Sequence, residues 1–197
     1  LGPNVLGLIN TENGLNASFA TKMPYRGNIN FMSQSGAFCT AILDYSESEN
    51  IGFRNFVSLG NKAMIGEKEL LEEWEDDGSE VILGYTEGIE NGREFVKTAR
   101  RVSHSKPVLM LKAGKSDEGS RAASSHTGSI AGSYEAYQAA FRKSGVIEVE
   151  SARELLGTGK AFSWQTLPEG ENIAVVSNAG GPGVVISDEI DARGMSL

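Results

Sequence analysis

Val81-Ile82-Leu83 is a run of strand-forming residues with no polar side chain to turn toward water on either side. A strand of that kind has to be covered on both faces, which in a chain of alternating strands and helices means a parallel sheet between two helical layers. The spacing predicts strands over Asn28–Met32, Asn55–Leu59, Glu80–Tyr85, Pro107–Lys112, Val146–Glu148 and Asn172–Ser177. Helical periodicity falls between them, over Ala37–Glu49, Glu67–Glu75, Gly92–Val102, Ser133–Ser144 and Ala152–Phe162. Asp76-Asp77-Gly78 and Ser105-Lys106-Pro107 are the breaks. The expectation is a doubly wound α/β domain over residues 27–165. Leu167-Pro168-Glu169-Gly170-Glu171 then reads as a linker into a second unit with one strand and one helix, too little to bury its own faces, so residues 166–197 read as the truncated start of another domain. The turn-rich opening, through Gly2, Pro3, Gly7, Gly14 and Pro24, reads as the end of an earlier domain and its linker over residues 1–26.

Within this frame the chain repeats itself. Ile29-Asn30-Phe31-Met32-Ser33-Gln34-Ser35-Gly36 aligns without a gap on Ile173-Ala174-Val175-Val176-Ser177-Asn178-Ala179-Gly180. Each segment is an apolar run ending in a small polar turn that opens a helix, Ala37 to Tyr45 and Val184 to Ala192. Such turns suit anions, because the first helical amides lack intrahelical partners and glycine admits close approach. Ser33, Gln34, Ser35 and Gly36, and Asn178, Ala179, Gly180 and Gly181, are therefore candidate phosphate-binding residues, with the hydroxyls of Ser33 and Ser35 as possible donors. Taken singly, either turn also fits an ordinary strand-to-helix connection.

Residues 122–132, Ala-Ala-Ser-Ser-His-Thr-Gly-Ser-Ile-Ala-Gly, set His126 among small and hydroxyl side chains. A ring that enters a phosphate pocket, reacts and leaves needs slim neighbours, although a Gly/Ser-rich loop can hold a histidine for no such reason.

Charge and composition narrow the partners. With 18 Lys+Arg against 26 Asp+Glu the net charge is −8, which argues against non-specific nucleic-acid binding and against an anionic membrane surface. No apolar stretch is long enough to span a bilayer, and the first residues lack the order of a signal peptide. The single cysteine, Cys39, allows neither an intrachain disulfide nor a cysteine metal site; it reads as a packing residue and the chain as cytoplasmic. His104 reads as a helix C-terminal cap, Glu90 as a helix N-terminal charge, and Glu72-Glu73-Trp74-Glu75-Asp76-Asp77 as a solvated helix face. Lys112 and Lys115 suit phosphate neutralisation or plain solvation. No credible metal cluster emerges.

The succession GPNVLG (2–7), SQSGAF (33–38), SLGNK (58–62), YTEGIENGREF (85–95), KAGKS (112–116), SHTGSIAG (125–132) and SNAGGPGV (177–184) closely resembles the ADP-forming acetyl-CoA synthetases of the succinyl-CoA synthetase superfamily. The resemblance runs through nearly the whole chain in order. It implies a flavodoxin-like three-layer domain carrying a phosphohistidine, preceded by a CoA-binding domain and followed by a second ligase-like domain. It also implies the reaction: acyl-CoA and phosphate give an acyl phosphate, which phosphorylates a histidine, which phosphorylates ADP. By resemblance that histidine is His126, and Glu87, at the end of an apolar strand, is the carboxylate that holds it. Asn61 and Lys62 match a substrate loop of the family, which usually continues with Asp after Lys-Ala; here Met64-Ile65-Gly66 stands instead. The implied small molecules are a carboxylic acid or its acyl-CoA, phosphate, CoA, and ATP or ADP with magnesium. The nucleotide and most CoA contacts are expected in an ATP-grasp domain or subunit and other parts outside this sequence, in an oligomeric full-length enzyme.

Two other classes compete. A regulatory scaffold of a protein acyltransferase would keep the fold but tolerate loss of His126, Glu87 and the two turns, all of which are present. A flavodoxin-like FMN-binding module would need a hydroxyl-rich phosphate loop after the first strand and an aromatic pair for the flavin, and neither is evident.

Overall fold

The computed structural model describes residues 1–116, 118, 119, 121 and 133–197. Contacts divide the chain between Gln165 and Thr166 into two units.

In the first unit the strands are β1 (Gly7–Asn10), β2 (Leu15–Ser18), β3 (Arg26–Ser33), β4 (Phe53–Ser58), β5 (Val81–Thr86), β6 (Val108–Lys112) and β7 (Ile147–Val149). They form one seven-stranded sheet in the order β2-β1-β4-β3-β5-β6-β7. From β4 to β7 every pairing is parallel, with Ile29 beside Val81 and Ile82 beside Val108. Successive side chains of these central strands enter opposite layers. Phe31, Val81 and Leu83 pack with Cys39 and Ile42 of helix α1 (Gly36–Ser48) and with Leu155 and Leu156 of α5 (Ala152–Trp164). Met32, Ile82 and Met110 pack with Leu71 of α2 (Glu67–Glu73), Phe95 and Ala99 of α3 (Gly92–Val102), and Tyr137 and Phe141 of α4 (Tyr134–Ser144). Two buried layers explain why Val81-Ile82-Leu83 has no polar alternation: period-2 geometry sends each residue into one core or the other. The architecture is the three-layer, flavodoxin-like α/β sandwich expected.

Residues 1–26 differ from expectation. They are not set apart from this domain: β1 pairs antiparallel with β4, and β2 with β1, so the segment extends the sheet. Gly14, at φ +65, closes the turn between β1 and β2, and Pro24 lies in the approach to β3.

The second unit, Thr166–Leu197, contains α6 (Gly180–Ala192). The strand expected over Asn172–Ser177 is not formed; Asn172 makes a single parallel bridge with Ser196. A strand requires a lateral neighbour over its length, and Val176 is almost fully exposed here. Among the described residues no helix is long and apolar enough to cross a membrane.

Candidate functional site

In the parallel sheet the loops that follow β3, β4, β5 and β6 leave from the same end, the end at which sites gather in such folds. The turn after β3 is closed by its own serines. Ser33 Oγ donates to Ser35 O at 3.0 Å and accepts from Ser35 N at 3.0 Å. Ser35 is the N-cap of α1, its backbone extended at φ −101 and ψ 119 and its hydroxyl oxygen accepting from Phe38 N at 3.2 Å. Ser33 is fully buried, so its hydroxyl shapes the turn. Ser35 is only partly buried, and its hydroxyl hydrogen is a separate donor.

Gln34, between them, turns inward. Its Oε1 accepts from the backbone amides of Glu87 (2.5 Å) and Gly88 (2.9 Å) and lies 2.7 Å from Thr86 Oγ1. Thr86 Oγ1 also lies 2.8 Å from Glu67 Oε1. A hydroxyl carries one hydrogen, so Thr86 donates to either Gln34 or Glu67 and links the two side chains.

The rest of the Glu87–Ile89 backbone is gripped from three further directions. Lys112 Nζ, at the end of β6, donates to Glu87 O at 2.9 Å and to Ala113 O, and lies 4.5 Å from the centre of the Tyr137 ring. Tyr137 in α4 accepts the amide of Ile89 through its hydroxyl oxygen at 3.1 Å. Lys62 Nζ donates to Gly88 O and sits 3.1 Å from both carboxylate oxygens of Glu67. Glu87 is thus presented by side chains from β3, β4, β6 and α4 ends, and loop backbone that would otherwise need water is satisfied by protein.

Charge follows from this packing. Burial pulls the Lys112 ammonium below the usual lysine range, and the negative charge of Glu87 works against that pull. Tyr85, whose hydroxyl is 3.5 Å from Glu87 Oε1, is pushed up to about 12 by burial and by the Glu87 charge. A groove lined by Lys62, Met64, Ile89, Glu90, Asn91 and Phe95 opens beside the cluster.

The second turn, described within its own unit, repeats the first. Ser177 Oγ donates to Ala179 O at 2.7 Å and accepts from Ala179 N at 3.2 Å, the pattern Ser33 makes with Ser35. Ala179 is the N-cap of α6, extended like Ser35 (φ −139, ψ 136) but with no side-chain cap. A Cβ at Gly180, Gly181 or Gly183 would meet nothing within 4 Å, so the unit's own packing does not call for glycine there.

Of the expected site residues, Gln34, Lys62 and Glu87 come together, linked by Thr86, Glu67 and Lys112. Asn61 is exposed at the same loop, whereas Lys62 is buried in its ion pair. His126 and its loop, residues 122–132, lie outside the described residues. Lys112, read from the sequence as phosphate-neutralising or solvated, is buried, with two carbonyls and the face of Tyr137 around its ammonium. Asp77, taken for part of a solvated face, accepts hydrogen bonds from Asn30, Asn55, Ser79 and Lys106. Trp74 is buried and Ser103, not His104, caps α3. Glu67 and Thr86 carry no mark in the sequence, since a first-turn glutamate and a strand threonine look ordinary. Cys39 is buried, as its packing role requires, and its thiol is pushed up to about 11 by burial. Among the described residues no group of three or more His, Cys, Asp or Glu is placed to hold a metal.

The chain is 51% identical over its whole length to the ADP-forming acetate–CoA ligase I of Archaeoglobus fulgidus, of which it covers 29%. It is 47% identical to the α subunit of ADP-forming acetate–CoA ligase II of Pyrococcus furiosus, covering 43% of that subunit. Its fold superposes over its full length on an acetyl-coenzyme A synthetase of Ca. Korarchaeum cryptofilum described in complex with phosphate and ADP, with a TM-score of 0.94 and 44% identity, again covering 43% of that chain. The chain therefore spans less than half the length of these relatives. Residues 26–162 match the family described as the succinyl-CoA ligase-like flavodoxin domain, and the chain belongs to that family.

Proposed function

We infer that this chain is the phosphohistidine-bearing part of an ADP-forming acyl-CoA synthetase, an acid–thiol ligase. In this reading phosphate displaces CoA from acyl-CoA to give an acyl phosphate. A ring nitrogen of His126 then attacks the phosphorus, the P–O bond to the carboxylate breaks, the free acid leaves, and the phosphoryl group passes from the histidine to ADP. Attack needs a neutral ring with a lone pair on the reacting nitrogen, so the other nitrogen carries the proton and donates it to an acceptor. Glu87 is that acceptor.

The observation that carries the reading is the held Glu87 segment: several elements fix one carboxylate-bearing residue at the active end of the sheet, next to the turn that opens α1. Such preorganisation is what an orienting carboxylate requires. The amides at the start of α1, with Ser35 Oγ, are assigned to phosphoryl oxygens, and the start of α6, with the open glycines Gly180 and Gly181, is a second candidate phosphate-binding turn within its own unit. Ser33 and Ser177 shape those turns, and Gln34 serves the phosphate site through the Glu87 backbone. Asn61 is exposed on the loop whose next residue, Lys62, lines the groove, and both are assigned to the substrate loop. We assign ATP, ADP, magnesium and most of CoA to an ATP-grasp partner and a CoA-binding domain of the full-length, oligomeric, cytoplasmic enzyme, with magnesium arriving on the nucleotide.

The test is labelling of the full-length enzyme with ATP labelled in its γ-phosphoryl group. The product should be an acid-labile, base-stable phosphoprotein, absent in His126→Ala, with Glu87→Gln slowed by a factor on the order of 10². Label that persists in His126→Ala or resists acid would assign the phosphoryl group elsewhere.

A further inference from the structure

Lys62 carries its side chain on an unusual main chain. Its φ is +54, the left-handed region that a residue with a Cβ enters at a cost, and such a conformation persists only where the surroundings over-determine it. Residues 2–6, which lead into β1, supply those surroundings. Gly2 N donates to Leu59 O at 3.1 Å, Asn61 N to Pro3 O at 3.0 Å and Ala63 N to Gly2 O at 2.9 Å, so the amides on both sides of Lys62 are tied to one short strap. Leu6 N, bonded to Ser58 Oγ at 3.0 Å, continues the attachment back to the end of β4. The fit is close at Gly60, which shares the left-handed conformation and where a side chain would strike the carbonyl oxygens of Pro3 and Asn4. From this fixed main chain the Lys62 ammonium reaches Glu67 and Gly88 O, and so the segment that carries Glu87.

We propose that Gly2 and Pro3 are positioning residues for the active end of the sheet: they hold the Lys62 main chain in its left-handed form and, through the Lys62 ammonium, fix the Gly88 carbonyl next to Glu87. This rests on the reading of Glu87 as the partner of His126. The contacts are continuous and pass through one side chain, from the strap carbonyls to the loop amides, from the loop to Lys62, and from Lys62 to Gly88 O. What the strap supplies is direction, since the ammonium is already matched in charge by Glu67 at 3.1 Å. A turn of the main chain at residue 62 to the right-handed region would swing its Cα–Cβ bond, take the ammonium off Gly88 and leave the buried Glu67 without its cation.

The experiment follows the initial rate of phosphohistidine formation in the full-length enzyme at saturating labelled ATP. It combines Gly60→Ala, which wedges the strap off the loop, with the pair Lys62→Met and Glu67→Leu, which removes the ammonium and leaves no buried charge behind. Gly60→Ala alone should slow phosphorylation on the order of 10-fold, and so should the pair. Added to the pair, Gly60→Ala should slow it no more than about twofold further, since nothing remains for the strap to aim. A strap that only supports the fold would slow both backgrounds by the same factor, and that result, or a parental rate in Gly60→Ala or in the pair, would overturn the proposal. Should Gly60→Ala fail to fold, by circular dichroism, Gly2→Ala takes its place, because Gly2 has φ +82 and bonds the loop through both its amide and its carbonyl. Should the pair fail to fold, Lys62→Met alone serves as the background, and the same comparison decides. Failure of the underlying reading looks different, since Glu87→Gln would then phosphorylate at the parental rate.

Discussion

The Lys62 ammonium lies 3.1 Å from both carboxylate oxygens of Glu67, and the two side chains are only 5% and 4% exposed. Removing one partner of such a buried pair strands the other without compensation. Lys62→Met and Glu67→Leu should each lower stability by about 3 kcal/mol or more in urea denaturation, and the double replacement by clearly less than the sum, since two apolar side chains leave no buried charge. Strict additivity would mean that the pair is not coupled.

Gly60 and Gly181 should respond oppositely to alanine. Gly60 has φ +60, and a Cβ there would fall 2.4 Å from the carbonyl oxygens of Pro3 and Asn4. Gly60→Ala should cost at least ~1 kcal/mol from the left-handed backbone alone, before those contacts are relieved. Gly181 has open space around its missing side chain. Gly181→Ala should leave thermal unfolding of this chain unchanged or raised by ~0.5 kcal/mol, while lowering phosphoenzyme formation in the full-length protein. A normal labelling rate in Gly181→Ala would remove the second turn from the phosphate-binding candidates.

Cys39 is fully buried, and with its thiol pushed up to about 11 it stays protonated at neutral pH. It should therefore resist iodoacetamide and disulfide reagents in the folded chain and react stoichiometrically once denatured. Rapid native-state modification would contradict the packing role.

Asp77 makes a pH-dependent contribution with a definite sign. Burial raises its carboxyl, but hydrogen bonds from Ser79 and Asn30 and the nearby Lys106 ammonium outweigh this and hold it below its ordinary value of 3.8. With the folded value below the unfolded one, the stabilisation is fully present above the unfolded value and is lost as pH falls through the folded one. The urea midpoint should drop on acidification below about pH 4, and Asp77→Asn should show a shallower drop over the same interval. Parallel profiles for the two proteins would sink this assignment.

What the sequence made legible, and what it hid, divides along physical lines. The central strands announce themselves because both faces are buried, so Phe31-Met32 and Val81-Ile82-Leu83 cannot alternate with polar residues. The hairpin of β1 and β2 hid behind its own turns: Leu15-Asn16-Ala17-Ser18 is short and largely exposed, and the strand that joins the hairpin to the sheet, β4, comes only after β3 in the chain. Asn172–Ser177 has the composition of a strand, but composition cannot supply the neighbour a ladder requires. At the site, Gln34 and Glu87 sit in recognisable turns, whereas the burial of Lys112 depends on carbonyls delivered by Glu87 and Ala113 and on Tyr137, a residue from another layer. Burial of a charge is set by tertiary convergence, for which no local pattern exists.

The sheet borders carry a different consequence. One ends in β2, four residues long, and the other in β7, three residues long, so neither offers much unpaired backbone for another body to zip onto. A further strand would find only three or four residues of ladder to extend at either border.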